Sequence, residues 1–291
     1  MIRDPAFAKI IKTGPGTKVI DLGRKGWGKF GIPSAGPMDI LAFRWVNHIL
    51  RNPENSAVLE VQQPGLVLNF EAPTLIGLAG AQAEIKLNGV QKNSGCLLEI
   101  PAESELKIGG FDKGSILYLG IKQGIQSESK LGSKSFFEGI TEQIQFSNGD
   151  KFMYFTNQEI PTFKARANPV FSTSYQDKTH IRVYPGPEWD LLQKEMQDQL
   201  LNHTFLITPF KNRMGAQIDS PFKNEYSSIA TAAVFPGTVQ LTPSGKLMIL
   251  LQDAQVTGGY PRILQLEEND LPAFNQLKTG HEFRFELQSF T

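Results

Sequence analysis

Turn-forming residues punctuate this chain so often that long helices have little room in it. Among 291 residues there are 27 glycines and 18 prolines, and between them recur short runs of β-branched and aromatic side chains. In the first half these are Lys18–Asp21, Ala57–Val61, Leu66–Phe70, Leu75–Leu78, Glu84–Leu87, Ser115–Ile121 and Lys151–Phe155. In the second half they are Ile181–Tyr184, Thr204–Ile207, Thr238–Leu241, Leu247–Leu251, Arg262–Leu266 and Glu282–Leu287. Runs of this length bounded by Gly, Pro or Asn read as strands, and their density predicts a mainly β protein of barrels or sandwiches with few helices.

Helical spacing is found in three places. Met38–Leu50 puts Leu41, Ala42, Trp45, Val46 and Ile49 on one face and stops before Asn52-Pro53. Glu188–Leu201 aligns Trp189, Leu192, Met196 and Leu200, and a short third helix follows Asn269-Asp270 with Leu271, Phe274 and Leu277. Between them, Thr156 to Thr179 has weak periodicity, two prolines and many polar residues. That composition predicts a connecting segment, 157–179, between an N-terminal β-rich lobe, 1–156, and a C-terminal β-barrel lobe, 180–291. No fixed-period repeat is present.

Composition narrows the function classes. With 29 basic and 29 acidic residues the chain has no net basic field, so no nucleic-acid partner is expected. The single cysteine, Cys96, cannot form an intrachain disulfide and reads as a small buried hydrophobe on a strand, which fits a reducing compartment. No run of about eighteen apolar residues occurs, and the N-terminus carries acid and proline where a signal peptide is apolar. The expectation is a soluble cytoplasmic protein with no membrane partner.

Motif searches exclude several chemistries. His48, His180, His203 and His281 share no metal-ligand spacing, so no metal site is expected. Gly31-Ile-Pro-Ser-Ala-Gly36 has P-loop glycine spacing, but Pro37-Met38 stands where that loop needs Lys and Ser or Thr. Ser127-Glu-Ser-Lys130 has the Ser-x-x-Lys spacing of some acyl-transfer enzymes without their partner motifs, and reads as a solvated loop.

Glycine-punctuated polar motifs remain: Gly36-Pro-Met-Asp39, Pro185-Gly-Pro187, Asn212-Arg-Met-Gly215 and Thr257-Gly-Gly-Tyr-Pro261. The last ends a stretch in which the apolar run Leu247–Leu251 delivers Gln252, Asp253, Gln255 and Thr257 to the mouth of a buried strand. Gly258 and Gly259 there let the backbone approach a ligand closely, and Tyr260-Pro261 fixes the exit. The simpler alternative is a tight turn between two strands. Arg213 offers a planar donor fork for a carboxylate, carbamate or phosphate, with Asn212 adding a directional amide. Alternatively Arg213 makes a structural ion pair and Gly215 a turn. Asp39 is placed either to bind a ligand or to stabilise the start of the first helix.

Taken in order, these motifs resemble the family variously called allophanate hydrolase subunit 2, biotin-dependent carboxyltransferase, KipA or the C component of 5-oxoprolinase. The resemblance begins at Asp21-Leu-Gly-Arg-Lys-Gly26 and continues through Gly31 to Asp39, Asn47, Asn52-Pro53, Leu59-Glu60 and Gly80-Ala81. It resumes at Arg182-Val-Tyr-Pro-Gly-Pro187, Asn212-Arg-Met-Gly215, Pro236-Gly237, Gln240 and Asp253 to Arg262. It implies cyclophilin-like β-barrel lobes in one component of an ATP-dependent 5-oxoprolinase, which opens 5-oxo-L-proline to L-glutamate. The implied partners are a KipI-like subunit 1 (the B component of 5-oxoprolinase) and a LamB/YcsF-type protein (its A component), with ATP used by the complex. Biotin is not attached here, since the chain lacks the Ala-Met-Lys-Met biotinylation motif. Alternatives within the family are a carboxyltransferase acting on a urea-like substrate and a noncatalytic KipA-like regulator.

On this resemblance Asp253, Thr257 and Tyr260 are the expected catalytic group. Asn212, Arg213, Gly215, Gln240, Gly258, Gly259, Arg24 and Asp39 are the expected substrate or anion contacts, with Arg213 foremost in a cleft shared with the Asp253 to Pro261 segment. Ile20, Ile121-Lys-Gln-Gly-Ile125 and Gln217 depart from the family pattern, as does the absence of a Gly-Arg pair before Asn148-Gly-Asp150. Gln217 stands where an arginine is usual.

Overall fold

The computed structural model describes residues 4–92, 97–157, 171–221, 226 and 228–289. Cys96 and most of the expected connecting segment lie outside the described residues. The chain forms two compact units, one of Met1–Arg24 with Ala35–Thr173, the other of Lys25–Ser34 with Ser174–Thr291. Both are mainly β, with sheets curled toward barrels.

The first unit holds β1 (Pro5–Lys12), β2 (Lys18–Ile20), helix α1 (Ile40–Ile49), β3 (Val58–Val61), β4 (Leu66–Phe70), β5 (Thr74–Leu87), β6 (Val90–Lys92), β7 (Leu97–Ile100), β8 (Ser104–Ile121) and β9 (Lys151–Phe155). Its sheet runs β2-β3-β8-β4-β1-β9, with β5 paired to β6, β7 and β8 off that path. Strands β5 and β8 are longer than their apolar runs suggest. Residues Gly80, Gly109, Gly110 and Gly114 interrupt the β-propensity pattern, and β-bulges around Gly80 to Ile85 absorb the register shifts.

Helix α1 rests on these two strands through glycines. A Cβ on Gly77 would lie 3.0 Å from Ile49 Cδ1, and one on Gly120 2.9 Å from Leu50 Cδ1. The Asp39 carboxylate caps α1, accepting from the Leu41 and Ala42 N–H groups at 3.1 and 3.0 Å. The buried face is Ala42, Phe43, Val46 and Asn47, so the expected stripe is rotated, and Leu41 is 41% exposed. The cause is Asn47, a polar residue turned inward because its carboxamide donates to the Glu54 and Ser56 carbonyls at 3.2 and 2.9 Å. Trp45 is half-buried against Phe171, ring centroids 5.7 Å apart.

The second unit holds β10 (His180–Pro185), α2 (Lys194–Asn202), β11 (Phe205–Leu206), β12 (Gly215–Asp219), β13 (Ala232–Ala233), β14 (Thr238–Leu241), β15 (Lys246–Leu250), β16 (Thr257–Gly258), β17 (Arg262–Leu266), α3 (Leu271–Gln276) and β18 (Glu282–Leu287). The main sheet runs β11-β18-β10-β17-β14-β15-β12, and its end strands β11 and β12 lie against one another, nearly closing a barrel. An aromatic cluster of Phe205, Phe274, Phe283 and Phe285 packs inside. The expected helix Glu188–Leu201 is instead a 3-10 turn over Trp189–Leu191, then extended Leu192 and Gln193, then α2. Glu188 fixes that start: its carboxylate accepts from Arg262 N, Nε and Nη2 at 2.7–2.9 Å. The backbone of Arg262 also accounts for Gly186 in Pro185-Gly-Pro187, for a Cβ there would collide with the Arg262 carbonyl group.

A second clamp holds α3 to β10. Asp270, 2% exposed, accepts from Arg182 Nη2 at 2.7 Å, from Arg182 N at 2.8 Å and from Lys178 Nζ at 2.6 Å. Burial pushes its carboxyl pKa up, but the bonds to Arg182 and Lys178 together outweigh burial and leave it below the ordinary value. A depressed carboxylate contributes stability that is fully present above its unfolded pKa of about 3.9 and is lost as pH falls through the lower folded value. Unfolding midpoints of the wild type should therefore fall as pH drops below about 4. In Asp270→Asn that part of the acid dependence should be missing and the neutral-pH stability lower, as urea titrations across that range would show.

Candidate functional site

The loop Gln252 to Pro261 and the Asn212 to Gly215 turn are built together in the second unit. The turn is organised by Asn212, whose Oδ1 accepts from Met214 N at 2.7 Å and Gly215 N at 3.2 Å, while its own N–H reaches Gly215 O. Gly215 then enters β12 under Ile249: a Cβ would meet Ile249 O at 3.0 Å and Met248 Sδ at 3.1 Å. Asn212 and Gly215 thus shape the backbone that presents Arg213.

Arg213 is 6% exposed and points into the protein. Its Nε and Nη2 donate to Asp253 Oδ2 and Oδ1 at 2.8 and 2.6 Å, a two-bond fork on a carboxylate that is itself 9% exposed. Backbone bonds from Asp253 N to Arg213 O, 2.8 Å, and from Leu251 N to Met214 O, 3.0 Å, zip the two segments together. The two motifs converge as expected, through a direct ion pair. That pair occupies the guanidinium edge proposed for an anion and both carboxylate oxygens proposed for catalysis.

Further along the loop, β16 pairs with β13, and Ile229 N donates to Gly259 O at 2.8 Å. Beneath it lies Gln240, 1% exposed, at a bulge between β14 and β17 where it opposes Arg262. Gln240 Nε2 donates to Tyr260 O at 3.3 Å and lies 2.6 Å from where a Gly258 Cβ would stand. A side chain at 258 would therefore have to displace the carboxamide below it. Tyr260, 39% exposed, and Thr257, also exposed, present hydroxyls that make no hydrogen bond among the described residues. Exposed apolar side chains flank these segments: Phe210 at 68%, Met214 at 55% and Phe235 at 65%.

Lys211, which no motif in the sequence singles out, anchors the turn from behind. Its Nζ donates to the Phe274, Asn275 and Leu277 carbonyls at 2.9–3.0 Å, closing the C-terminal end of α3, whose last turn carries no basic residue. Burial pushes its pKa down to about 7. Three acceptors at bonding distance oppose deprotonation, because only the ammonium form has three N–H groups to give them.

Arg24 and Asp39 belong to the first unit and are fully buried. Arg24 Nη2 donates to Ser135 O at 2.5 Å. Beside it the Asp21 carboxylate accepts from the Ser133 and Ser135 hydroxyls and the Lys134 and Gly23 N–H groups at 2.5–2.9 Å. Asp39 caps α1, and its N–H donates to Tyr118 Oη at 2.8 Å, while Tyr118 donates to Glu60 Oε2 at 2.6 Å. Burial, and then the Glu60 charge, push the Tyr118 phenol well up, so it stays a proton donor. No group of three or more His, Cys, Asp or Glu able to hold a metal occurs among the described residues, and no helix is long and apolar enough to cross a membrane.

Comparison with known proteins gives a concordant result. A family model described as carboxyltransferase domain, subdomain A and B, matches residues 30–287. The C subunit of 5-oxoprolinase from Escherichia coli (strain K12) is 28% identical over 287 residues, covering 95% of this chain and 90% of that protein. The Haemophilus influenzae protein of the same name is 28% identical over 272 residues, covering 92% and 87%. Among solved structures, the K. lactis urea amidolyase superposes with a TM-score of 0.86 at 25% identity over 99% of this chain, which spans only 19% of that much longer one.

The Gly258–Gln240 contact makes a separable prediction. Gly258→Ala should cost about 1–3 kcal/mol, the usual penalty for forcing an atom into a packed site. In a Gln240→Ala background the same substitution should cost much less, because the carboxamide that blocks the new methyl is gone. Thermal or urea unfolding of the four proteins measures the difference.

Proposed function

The chain belongs to the carboxyltransferase domain family, subdomain A and B, and from that premise we propose that it is the carboxyltransferase-type component of an ATP-dependent 5-oxoprolinase complex. The observation that carries this reading is the end-to-end correspondence with the C subunit of 5-oxoprolinase, over 95% of this chain and 90% of the E. coli protein. The chain is also similar to urea amidolyase of Saccharomyces cerevisiae, but spans only 17% of it. The urea amidolyase likeness keeps transfer of a carboxyl group to a urea-like substrate as the second reading.

Lactam opening is slow in neutral water, and phosphorylation of the amide oxygen by ATP turns that oxygen into a leaving group. In this reading Thr257 and Tyr260 meet the substrate; in support, their hydroxyls are uncommitted among the described residues and the loop that carries them rests on Gln240. Arg213 and Asp253 act in this reading as the clamp that holds the loop. The cations of the site region do not form a phosphate cradle: Arg213 is held by Asp253, Arg262 by Glu188 and Lys211 by the end of α3. The phosphates of ATP would meet their counter-charges on a partner protein, and no step on ATP is assigned to this chain. The exposed Phe210, Met214 and Phe235 give the KipI-like partner an apolar surface beside the loop. The LamB/YcsF-type protein would complete the complex.

Coexpression with those two partners should yield a complex that hydrolyses ATP only when 5-oxo-L-proline is present and releases glutamate. Tyr260→Phe should lower kcat/KM of that complex at least about tenfold, equivalent to about 1.4 kcal/mol of transition-state stabilisation, with an unchanged unfolding midpoint. Full activity of Tyr260→Phe would remove the phenol from the site. A wild-type complex that ignores 5-oxoproline but carboxylates urea from a biotin carrier would establish the second reading instead.

A further inference from the structure

The first unit contains a cavity that the proposed reaction does not use. It lies at the seam between β2 and β9, the two end strands of the sheet path, where the curled sheet does not close on itself. Two chain segments fill the seam partway. One is tied to β9 by Gln126 N donating to Met153 O at 2.8 Å. The other is tied to β2 and the turn before it by Phe136 N to Val19 O at 2.9 Å, and Phe146 N to Thr17 O at 2.7 Å. Between the segments remains a space of about 270 Å³. It is just below the range of about 300–1,000 Å³ that drug-sized ligands occupy, which suits a small metabolite and is too small for a nucleotide.

The lining has an apolar floor and a charged lip. Phe136, Phe146 and Phe152 form the floor, with successive ring centroids 5.1 and 5.8 Å apart. On the lip stand Ser127, Lys130 and Glu142. The walls are preformed, since Thr141 Oγ1 donates to Phe137 O or Gln143 O and accepts from Phe137 N, pinning its loop on the lip. Lys130 is bonded to Glu128 at 2.5 Å and retains N–H groups to offer, Ser127 Oγ makes no hydrogen bond among the described residues, and Glu142 lies within electrostatic reach of Lys130 without a salt bridge among them.

This placement explains the unused Ser127-Glu-Ser-Lys130 motif. In acyl transfer of that type the lysine acts as a neutral base toward the serine. Here the hydrogen bond and charge of Glu128 push the Lys130 pKa up, and the ammonium form cannot take a proton. What the motif offers is a cation and a hydroxyl donor side by side, across a mouth that also carries the Glu142 carboxylate.

We propose that this seam binds a small zwitterion with an apolar side chain, of the apolar α-amino acid class. Its carboxylate would lie at Lys130 and Ser127, its ammonium at Glu142 and its side chain over the phenylalanine floor. The inference rests on the first unit alone and is independent of the proposed reaction. The test is calorimetric titration of the full chain with L-phenylalanine and L-leucine, beside 3-phenylpropionate and 2-phenylethylamine, each of which lacks one of the two charges. Saturable one-to-one binding of at least one amino acid is expected, with a Kd of about 1 mM or tighter and both single-charge analogues at least about tenfold weaker. Lys130→Glu and Glu142→Gln, both at surface-accessible side chains, should each weaken binding about tenfold, or 1.4 kcal/mol, with unchanged circular dichroism. No saturation by about 20 mM for either amino acid, equal binding of the single-charge analogues, or undiminished affinity in both variants would overturn the proposal.

Discussion

An arginine and an aspartate that leave water together must satisfy one another, and the candidate site of this protein is arranged around that requirement. Removing either partner of such a pair leaves an uncompensated buried charge, and the loss of about 3–5 kcal/mol falls on whatever backbone the pair joins. Here the pair is Arg213 and Asp253, both at least nine-tenths buried. The joined segments are the Asn212 turn and the glycine loop that follows β15. The Asx turn of Asn212, the Lys211 anchor on α3 and the zipped backbone of residues 213–214 and 251–253 all bring those two charges into register. Thr257 and Tyr260 inherit their positions from that clamp.

The same logic recurs across both units. Glu188 with Arg262, and Asp270 with Arg182 and Lys178, use charged pairs to fix the short connections beside β17 and β10. In the first unit, Asp21 is satisfied by two serine hydroxyls and two backbone N–H groups, and Asp39 by the first turn of α1. A mostly β chain rich in glycine obtains close backbone approaches in this way, with carboxylates and amides standing beside glycines where larger residues would collide. Gly258 over Gln240 and Gly186 against Arg262 are two such close approaches.

The mainly β class was legible because strand runs and turn residues alternate so regularly, and Leu66–Phe70, Lys151–Phe155, Thr238–Leu241, Arg262–Leu266 and Glu282–Leu287 match strands residue for residue. Strand β1 was not legible because its inward positions carry the small Ala6 and Ala8 while Phe7 faces outward, and the full lengths of β5 and β8 were not because bulges and glycines break the alternation that identifies a strand. The rotated face of α1 was hidden by Asn47, whose burial depends on carbonyls of residues 54 and 56 that no helical pattern contains. At the site, motif order alone drew attention to residues 212–215 and 253–261. It left open whether Arg213 faces ligand or protein, since an arginine fork fits either kind of carboxylate. That choice is made by distance and burial, as are the roles of Lys211 and Glu188, which sit outside any recognisable motif.

The central claim is that Arg213 and Asp253 serve each other, and a double-mutant cycle on folding stability tests it most directly. Arg213→Leu, Asp253→Leu and the double variant would be unfolded in urea beside the wild type. Each single variant should lose about 3–5 kcal/mol, and the double variant little more than either, giving a coupling of at least about 2 kcal/mol. Single variants as stable as the wild type, with additive effects in the double, would contradict the account and return Arg213 to the role of a ligand contact.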